Sequence, residues 1–369
     1  MLKLENFYPE NYYQAREKFL ESVCEYKTDN IINKPVLEDL VIDTAVFEPQ
    51  RDKETLLLFT SGTHGVEGYV GTAVQLFILE NFLNLRREDI GMAFVHSINP
   101  FGYANDRRVN ESNVDLNRNF IDNPDDFKMD DEQIIRVQDY LFPLLTPMQP
   151  IKSLTKETLN LILNIFKAKK EYGMDLIKSA IAGGQYRFPE SIFYGGGDKL
   201  EKSAEIYREI IKEVSQGYSR VIGFDVHSGL GKWKECSKFT SEDEDSYTYR
   251  KLNGIFPEIN NVSNDTKTKS KVYKIKGGIG DYTAQHSRSP ETCFFGLEFG
   301  TYNVAKVLRT LIQENQVYHY PDSNEGVKRV IKEDMQEIFC PSDKSWRYSV
   351  LGSTYNVMMS LDSGFRLFR

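Results

Sequence analysis

A histidine and a glutamate three residues apart lie in a glycine-spaced loop, residues 61–68, directly after the apolar β-forming run 56–59. The two residues are His64 and Glu67. Loops at the carboxyl ends of strands are where α/β proteins place their chemistry. An imidazole and a carboxylate are two of the three protein ligands of a His2Glu zinc site. The three glycines of the loop would let the backbone turn tightly enough to aim both side chains at one ion.

Three further stretches carry residues that such a site needs, each at a predicted strand end or in an adjoining loop. They are Arg107-Arg108-Val109-Asn110 followed by Val114-Asp115-Leu116-Asn117-Arg118-Asn119-Phe120, then Asp225-Val226-His227-Ser228, and Phe295-Gly296-Leu297-Glu298-Phe299. His227 can complete the ligand set, Glu298 can take a proton from water, and Arg108 can stabilise charge on a carbonyl oxygen. Each motif alone also fits a structural role, but their common placement favours one site.

Each ligand histidine is expected to have a carboxylate or a backbone carbonyl on its other ring nitrogen, which fixes the tautomer. Asp225 precedes His227 by two residues. We do not expect Asp225 to be that partner, because alternating residues of a strand share a face without needing to touch.

The elements that must position these residues alternate between strand and helix patterns. Strands are predicted at 40–47, 55–59, 92–98, 220–226, 271–275 and 292–299, and helices at 12–26, 70–83, 202–214, 304–312 and 327–338. This alternation predicts an α/β fold with a mixed, largely parallel sheet flanked by helices.

Residues from about 123 to 178 are mostly helical in pattern and are broken by Pro143, Pro147 and Pro150. The apolar face predicted there consists of Leu159, Leu161, Ile162, Ile165 and Phe166, and the solvated face of Lys156, Lys167, Lys169 and Lys170. No flexible linker brackets this region. We therefore expect one domain over 1–369, with a helical insertion at about 145–185 and a C-terminal extension of helix and strand at about 320–369.

The composition excludes several classes of function. Lys+Arg 46 against Asp+Glu 54 gives a net charge of −8, and no basic stripe indicates a nucleic-acid or membrane surface. The four cysteines lack the C-x-x-C spacing of a zinc site and do not suggest a disulfide framework. The N-terminal residues contain no apolar signal segment, and no apolar run reaches transmembrane length. A cytoplasmic enzyme is the expectation.

The four motifs, in this order, resemble the zinc carboxypeptidases of the carboxypeptidase A type, and more closely a bacterial branch of uncharacterised carboxypeptidase-like proteins. The resemblance rests on H-x-x-E, R-x-N followed by V-D-L-N-R-N-F, D-x-H-S and a late strand glutamate, and it spans residues from about 55 to 315. It implies one zinc ion bound by His64, Glu67 and His227.

The resemblance also implies roles for the remaining motif residues. Glu298 would be the general base and later the proton donor. Arg108 would polarise the scissile carbonyl, with Arg107 as the alternative if the alignment slips by one. Asn117 and Arg118 would hold the terminal carboxylate of the substrate, for which a bidentate guanidinium is well shaped.

A later segment, residues 273–282, resembles the part of these enzymes that caps the substrate. Tyr273 would swing over the bound substrate, although a strand residue beside a Gly-Gly turn fits the pattern equally well. Gly280 falls where the family tunes its preference for the terminal side chain. A glycine there indicates neither a basic-specific nor an acidic-specific pocket.

The expected activity is zinc-dependent hydrolysis of an amide bond next to a free carboxylate, in a peptide or peptide-like substrate. N-acyl amino acid deacylases related to aspartoacylase and succinylglutamate desuccinylase share H-x-x-E, an arginine and D-L-N-R, so deacylation is an alternative. A binding protein that keeps the metal without turnover is a second. The sequence also leaves open another divalent metal and the oligomeric state.

Overall fold

The computed structural model describes residues 3–147, 149–242, 245, 247–256, 259–261 and 276–365. The predicted strand at 271–275, together with Tyr273, lies outside these residues. Within the described residues, no helix has the length and apolar character needed to cross a membrane.

Within the residues that the structure describes, eight strands form a single sheet. They are β1 (Asn30–Leu37), β2 (Leu40–Phe47), β3 (Thr55–Ser61), β4 (Ile90–His96), β5 (Arg220–Ser228), β6 (Cys236–Thr240), β7 (Ile259–Asn261) and β8 (Glu291–Phe299). Their order across the sheet is β1-β2-β4-β3-β5-β8-β6-β7. The central strands β4, β3, β5 and β8 are parallel, whereas β1 with β2, β2 with β4 and β6 with β8 pair antiparallel.

Helices cover both faces of the sheet, which confirms the predicted α/β fold with a mixed, largely parallel sheet. They are α1 (Tyr12–Glu25), α2 (Gly68–Phe82), α3 (Pro100–Ala104), α4 (Glu132–Leu145), α5 (Leu154–Tyr172), α6 (Met174–Ala182), α7 (Lys202–Val214), α8 (Tyr247–Ile255), α9 (Ile279–His286), α10 (Val304–His319), α11 (Glu325–Phe339) and α12 (Lys344–Phe365).

Strand β3 shows why the central strands contain continuous runs of apolar residues in the sequence. Leu56 and Leu58 belong to one apolar layer of the core, and Leu57 and Phe59 to the other. Alternate residues of a strand point to opposite faces, so a strand covered by helices on both sides is apolar at every position. The ring of Phe59 stacks on those of its neighbours in β4 and β5, with centroids 5.3 and 5.4 Å apart. This packing holds the central strands rigidly, and their ends carry the candidate site.

Several sequence predictions need correction. Strands β1, β6 and β7 and helices α3, α8, α9 and α12 were not predicted. Pro143 lies inside α4 instead of ending it, because it falls in the last turn, where few further hydrogen bonds depend on it. The C-terminal extension is helical in its described part and shows no strand there, since its apolar residues recur at helical spacing.

The five residues of the predicted apolar face of α5 are not all buried. Leu161 and Ile165 are partly buried, whereas Leu159, Ile162 and Phe166 are exposed. At about 100° per residue the five side chains span roughly 160° of the helix. Leu161 and Ile165 lie nearest to the core-facing Ala168, so they are buried more than the other three.

Candidate metal centre and active site

The carboxyl ends of β3, β5 and β8 bring the predicted residues together. His64 follows the end of β3, and His227 is the penultimate residue of β5. Glu298, the penultimate residue of β8, is the register partner of His227. Paired residues of parallel strands point to the same side of the sheet. The sheet therefore sets Glu298 next to His227.

The glycines of the loop after β3 have two different physical reasons. Gly62 has a φ of +63°, a left-handed conformation that glycine adopts without strain. Gly65 and Gly68 are required instead by close packing against α3. A Cβ on Gly65 would lie 2.1 Å from the carbonyl carbon of Gly102, and one on Gly68 would lie 2.4 Å from the ring of Tyr103. The predicted tight turn is therefore correct for Gly62 only.

Three side chains converge into a set that could hold a metal ion. One candidate ligand atom from each of His64, Glu67 and His227 lies within 4.8 Å of the other two. Nδ1 of His64 is 2.9 Å from Oε1 of Glu67. Nδ1 of His227 is 2.9 Å from Oε2 of the same carboxylate. All three residues are buried.

The other nitrogen of each imidazole faces a second buried carboxylate. Nε2 of His64 lies 3.2 Å from Oδ1 of Asp115, and Nε2 of His227 lies 2.7 Å from Oδ2 of Asp225. The expectation that Asp225 does not reach His227 is therefore wrong. The hydroxyls of Thr60 and Thr63 donate to Oδ1 of Asp225, at 2.7 and 3.0 Å, and so turn Oδ2 towards the imidazole.

This arrangement fits a bound cation. A neutral imidazole has one N–H, so it can donate to only one of the two carboxylates that flank it. If Nε2 carries the proton and donates to the aspartate, Nδ1 presents a lone pair to Glu67. Two lone pairs and a carboxylate facing one another repel unless a positive charge lies between them. The donor set, two imidazole nitrogens and one carboxylate, is one that zinc binds.

The charges of the set support the same conclusion. Burial alone would raise the pKa of Glu67, but the neighbouring imidazoles of His64 and His227 outweigh it and hold that pKa below the usual range. Burial would lower the pKa of His227, and the charge of Asp225 outweighs it and raises the pKa well above its ordinary value. The pocket thus stabilises positive charge beside Glu67, and a metal ion can take the place of protons there.

Glu298 is the candidate proton acceptor. It is half-buried, and its Oε1 accepts a hydrogen bond of 2.7 Å from the backbone N–H of Leu230. Burial, and then the negative charge of Glu67, raise the pKa of Glu298 to about 8. A cation bound to Glu67 would remove much of that repulsion and leave Glu298 ionised at a lower pH.

The structure separates the two adjacent arginines. Nε of Arg108 donates to Oδ2 of Asp115 at 3.1 Å, and its Nη1 lies 3.4 Å from Oε1 of Glu67, so this guanidinium faces the metal set. Arg107 points away and binds Oε1 of Glu314 on α10 at 2.6 Å. Its guanidinium lies 3.4 Å from the ring centre of Tyr318. The structure therefore brings Arg108 to the site and not Arg107.

Backbone hydrogen bonds attach the loop at residues 61–68, the metal loop, to Arg107 and Arg108, the arginine segment. The N–H of Val66 donates to the carbonyl of Arg107 at 2.8 Å, and the N–H of Gly65 donates to the carbonyl of Arg108 at 3.2 Å. These bonds fix the relative positions of Glu67 and Arg108.

Asn117 and Arg118, which are expected to hold the terminal carboxylate of the substrate, lie two and three residues after Asp115. Both Asn117 and Arg118 are buried. The backbone N–H of Asn117 donates to Oδ1 of Asp115 at 3.1 Å, and its side-chain Oδ1 accepts from the N–H of Ile279 at 3.0 Å. Asn117 thus joins the metal set to the start of α9, where Gly280 lies. A Cβ on Gly280 would come within 3.3 Å of the ring of Phe294.

Sequence reasoning did not assign roles to two residues of the site. Asp115 lies inside the V-D-L-N-R-N-F motif, and its position between His64 and Arg108 depends on a tertiary contact that the motif alone does not show. Phe193, from the segment before α7, lies with its ring centre 5.3 Å from the guanidinium of Arg108. It has a φ of +58°, which is uncommon for a residue with a side chain, and no sequence signal marks it.

The sequence matches the model of a protein family over residues 8–353, and that family is described as a protein of unknown function, DUF2817. A comparison with curated proteins gives no match.

Solved structures that resemble this chain include a carboxypeptidase, an amidase and a desuccinylase. Carboxypeptidase A from Helicoverpa armigera has a TM-score of 0.51 at 13% identity, over 93% of this chain and 76% of that chain. Murein-tripeptide amidase from Escherichia coli O157 has a TM-score of 0.35 at 16% identity, over 80% and 88%. Succinylglutamate desuccinylase from Chromobacterium violaceum has a TM-score of 0.37 at 12% identity, over 88% and 74%. The first similarity shows that the fold is carboxypeptidase-like. The predicted closeness to a bacterial branch stays a prediction.

Proposed function

The chain belongs to the DUF2817 family, and we propose that it is a zinc-dependent hydrolase that cleaves an amide bond next to a free carboxylate. The observation that carries the proposal is the convergence of His64, Glu67 and His227 into one candidate metal set. Glu298 and Arg108 lie beside that set, as such a reaction requires. The carboxypeptidase-like fold agrees with the proposal.

His64 and His227 would bind the ion through Nδ1, and Glu67 through its carboxylate. Asp115 and Asp225 hold the protons of the imidazoles on Nε2, which leaves each Nδ1 free to act as a ligand. When bound, a zinc ion with three protein ligands supplies an open position, a water of lowered pKa and a Lewis acid for the carbonyl.

The residues around the ion would perform the proton transfers and stabilise the developing charge. Glu298, held by the N–H of Leu230, accepts a proton from the attacking water and later gives it to the leaving nitrogen. The guanidinium of Arg108 faces the site and stabilises the negative charge that develops on the carbonyl oxygen. Phe193 packs against that guanidinium and limits its movement.

Substrate binding is assigned to the segment that links Asp115 to α9. Asn117 and Arg118 would bind the terminal carboxylate, for which a guanidinium offers two parallel hydrogen bonds. The ring of Phe294 next to Gly280 makes that wall apolar, so we expect an uncharged terminal side chain. Tyr273 would cap the bound substrate.

The proposal is tested with zinc-loaded protein and three substrate sets: short peptides with a free C-terminus, the same peptides amidated, and N-acyl amino acids. Glu298→Gln should lower kcat by about a hundredfold to ten-thousandfold, the usual contribution of a general base. Glu291→Gln, at the opposite end of β8, is the matched control and should leave kcat unchanged.

Different outcomes select between the activities. Hydrolysis of free but not amidated peptides supports the proposal. Hydrolysis of N-acyl amino acids alone supports a deacylase. Zinc binding without turnover of any set, or a Glu298→Gln variant as active as the parent, contradicts the proposed hydrolase.

A further inference from the structure

Helix α5 presents an apolar stripe to solvent. Leu159, Ile162, Leu163 and Phe166 are exposed to 56%, 57%, 49% and 67%. Their spacing places them on one side of the helix, two turns long. On the opposite side, Ala168 is buried with the apolar cluster that α5 shares with α4 and α6. The helix therefore has a packed inner face and a second apolar face that nothing in the described chain covers.

Lysines flank this stripe on both sides. With about 100° between successive residues of a helix, Lys156 and Lys167 lie along one edge of the stripe and Lys169 along the other, while Lys170 continues it at the C-terminal end. All four are exposed, and none forms an ion pair within the described residues. Glu171 is the exposed acidic residue of α5, and it lies roughly 120° around the helix from Leu159.

We propose that this face of α5, the stripe and its four lysines, binds an anionic lipid surface, with the helix lying in the plane of the headgroups. A helix with large apolar side chains along one line and lysines on both edges suits the boundary between lipid headgroups and acyl chains. The apolar side chains enter the acyl region, and the lysine ammonium groups reach the lipid phosphates. The chain carries a net charge of −8, so this cationic face is a local exception to its overall charge. The proposal replaces the expectation, drawn from composition, that no surface of the chain binds a membrane.

The lysines argue against a second copy of the chain as the occupant. An antiparallel pair of α5 helices, centred on the stripe, would bring identical edges together and set Lys156 of one copy near Lys167 of the other. No acidic residue lies between the two edges of the stripe to offset that repulsion. The four apolar side chains also offer roughly half of the area that one partner buries in a standard protein interface.

The surface belongs to a group of three helices, α4, α5 and α6, which share one apolar cluster. The end of this group approaches the proposed substrate site. A Cβ on Gly184, just after α6, would come within 2.7 Å of Cδ of Arg118. A chain bound through α5 would therefore hold these helices near the lipid.

The test is co-sedimentation of the full chain with vesicles of equimolar phosphatidylcholine and phosphatidylglycerol, and with vesicles of phosphatidylcholine alone. We expect binding to the anionic vesicles that falls with added salt. Ile162→Ser combined with Phe166→Ser should abolish it, and Lys156→Glu combined with Lys169→Glu should weaken it roughly tenfold or more. Leu85→Ser, which removes a side chain 71% exposed at another site, is the control and should bind like the parent.

Three results would overturn the inference. They are no binding of the parent to anionic vesicles, equal binding to the neutral ones, and a stable dimer by light scattering that the Ile162 and Phe166 substitutions dissociate. Because the parent chain alone decides the first two, loss of folding in a variant cannot hide the answer.

Discussion

Replacement of Asp225 by asparagine should weaken zinc binding while the protein stays folded. The carboxylate lies 2.7 Å from Nε2 of His227, and the hydroxyls of Thr60 and Thr63 bind its other oxygen. Asparagine keeps one oxygen for these hydroxyls. The amide NH2 of the asparagine then faces Nε2 of His227. Because both groups carry a hydrogen, neither can accept a hydrogen bond from the other.

The imidazole of His227 escapes this conflict by moving its proton from Nε2 to Nδ1. Nδ1 is the atom that faces Glu67 at 2.9 Å, so the proton then occupies the position of the metal bond. Removing a carboxylate that orients a ligand histidine typically costs about tenfold to a hundredfold in metal affinity. That factor corresponds to roughly 1.4 to 2.7 kcal/mol.

The measurement is the zinc dissociation constant, determined by competition with a chromophoric chelator at fixed pH. Asp122→Asn is the matched control, because Asp122 also lies 2.7 Å from an imidazole Nε2, that of His286, away from the site. A cooperative thermal transition of the metal-free Asp225→Asn protein shows that it is folded. An affinity equal to the parent's, or an equal loss in Asp122→Asn, would refute the reasoning.

Three further substitutions test other parts of the structure. Gly65→Ala should destabilise the metal-free protein by about 3 kcal/mol in urea unfolding, because its Cβ would lie 2.1 Å from the backbone of Gly102. Arg107→Met should cost roughly 3 to 5 kcal/mol of stability, since it leaves the carboxylate of Glu314 buried without its partner. His96→Gln should make stability less sensitive to acid: burial lowers the pKa of His96 to about 4, so between that pH and about 6.5 the unfolded chain binds the proton that the folded chain rejects.

Each of these has a control. Gly254→Ala, where a Cβ would meet nothing within 4 Å, should cost little. Glu314→Leu added to Arg107→Met should restore much of the lost stability, because no buried charge remains. The free energy of unfolding of the parent should fall by roughly 3 kcal/mol, through His96, as the pH falls to about 4. An equal dependence of that free energy on pH in the parent and in His96→Gln would contradict the assignment.

The central strands and the residues at their ends could be predicted because the interiors of β3, β5 and β8 are runs of apolar residues and glycine, and polar or glycine residues follow those runs. His64, Glu67 and His227 could be proposed from residue type and placement alone. Local patterns of this kind survive in the structure wherever helices cover both faces of the sheet.

What could not be predicted depends on tertiary contacts. Asp115 reaches His64 only because the arginine segment is hydrogen-bonded to the metal loop. Asp225 reaches His227 only because two threonines of the neighbouring strand and loop turn its carboxylate. The direction of Arg107 is set by Glu314 on a distant helix. None of these contacts leaves a periodic signal in the sequence.

The most direct test of the central claim is anomalous diffraction at the zinc edge from crystals of the full chain grown with zinc. We predict one anomalous peak about 2.1 Å from Nδ1 of His64 and from Nδ1 of His227, with Glu67 as the third protein ligand. A structure without zinc at these three residues, or with zinc bound only elsewhere, would contradict the account.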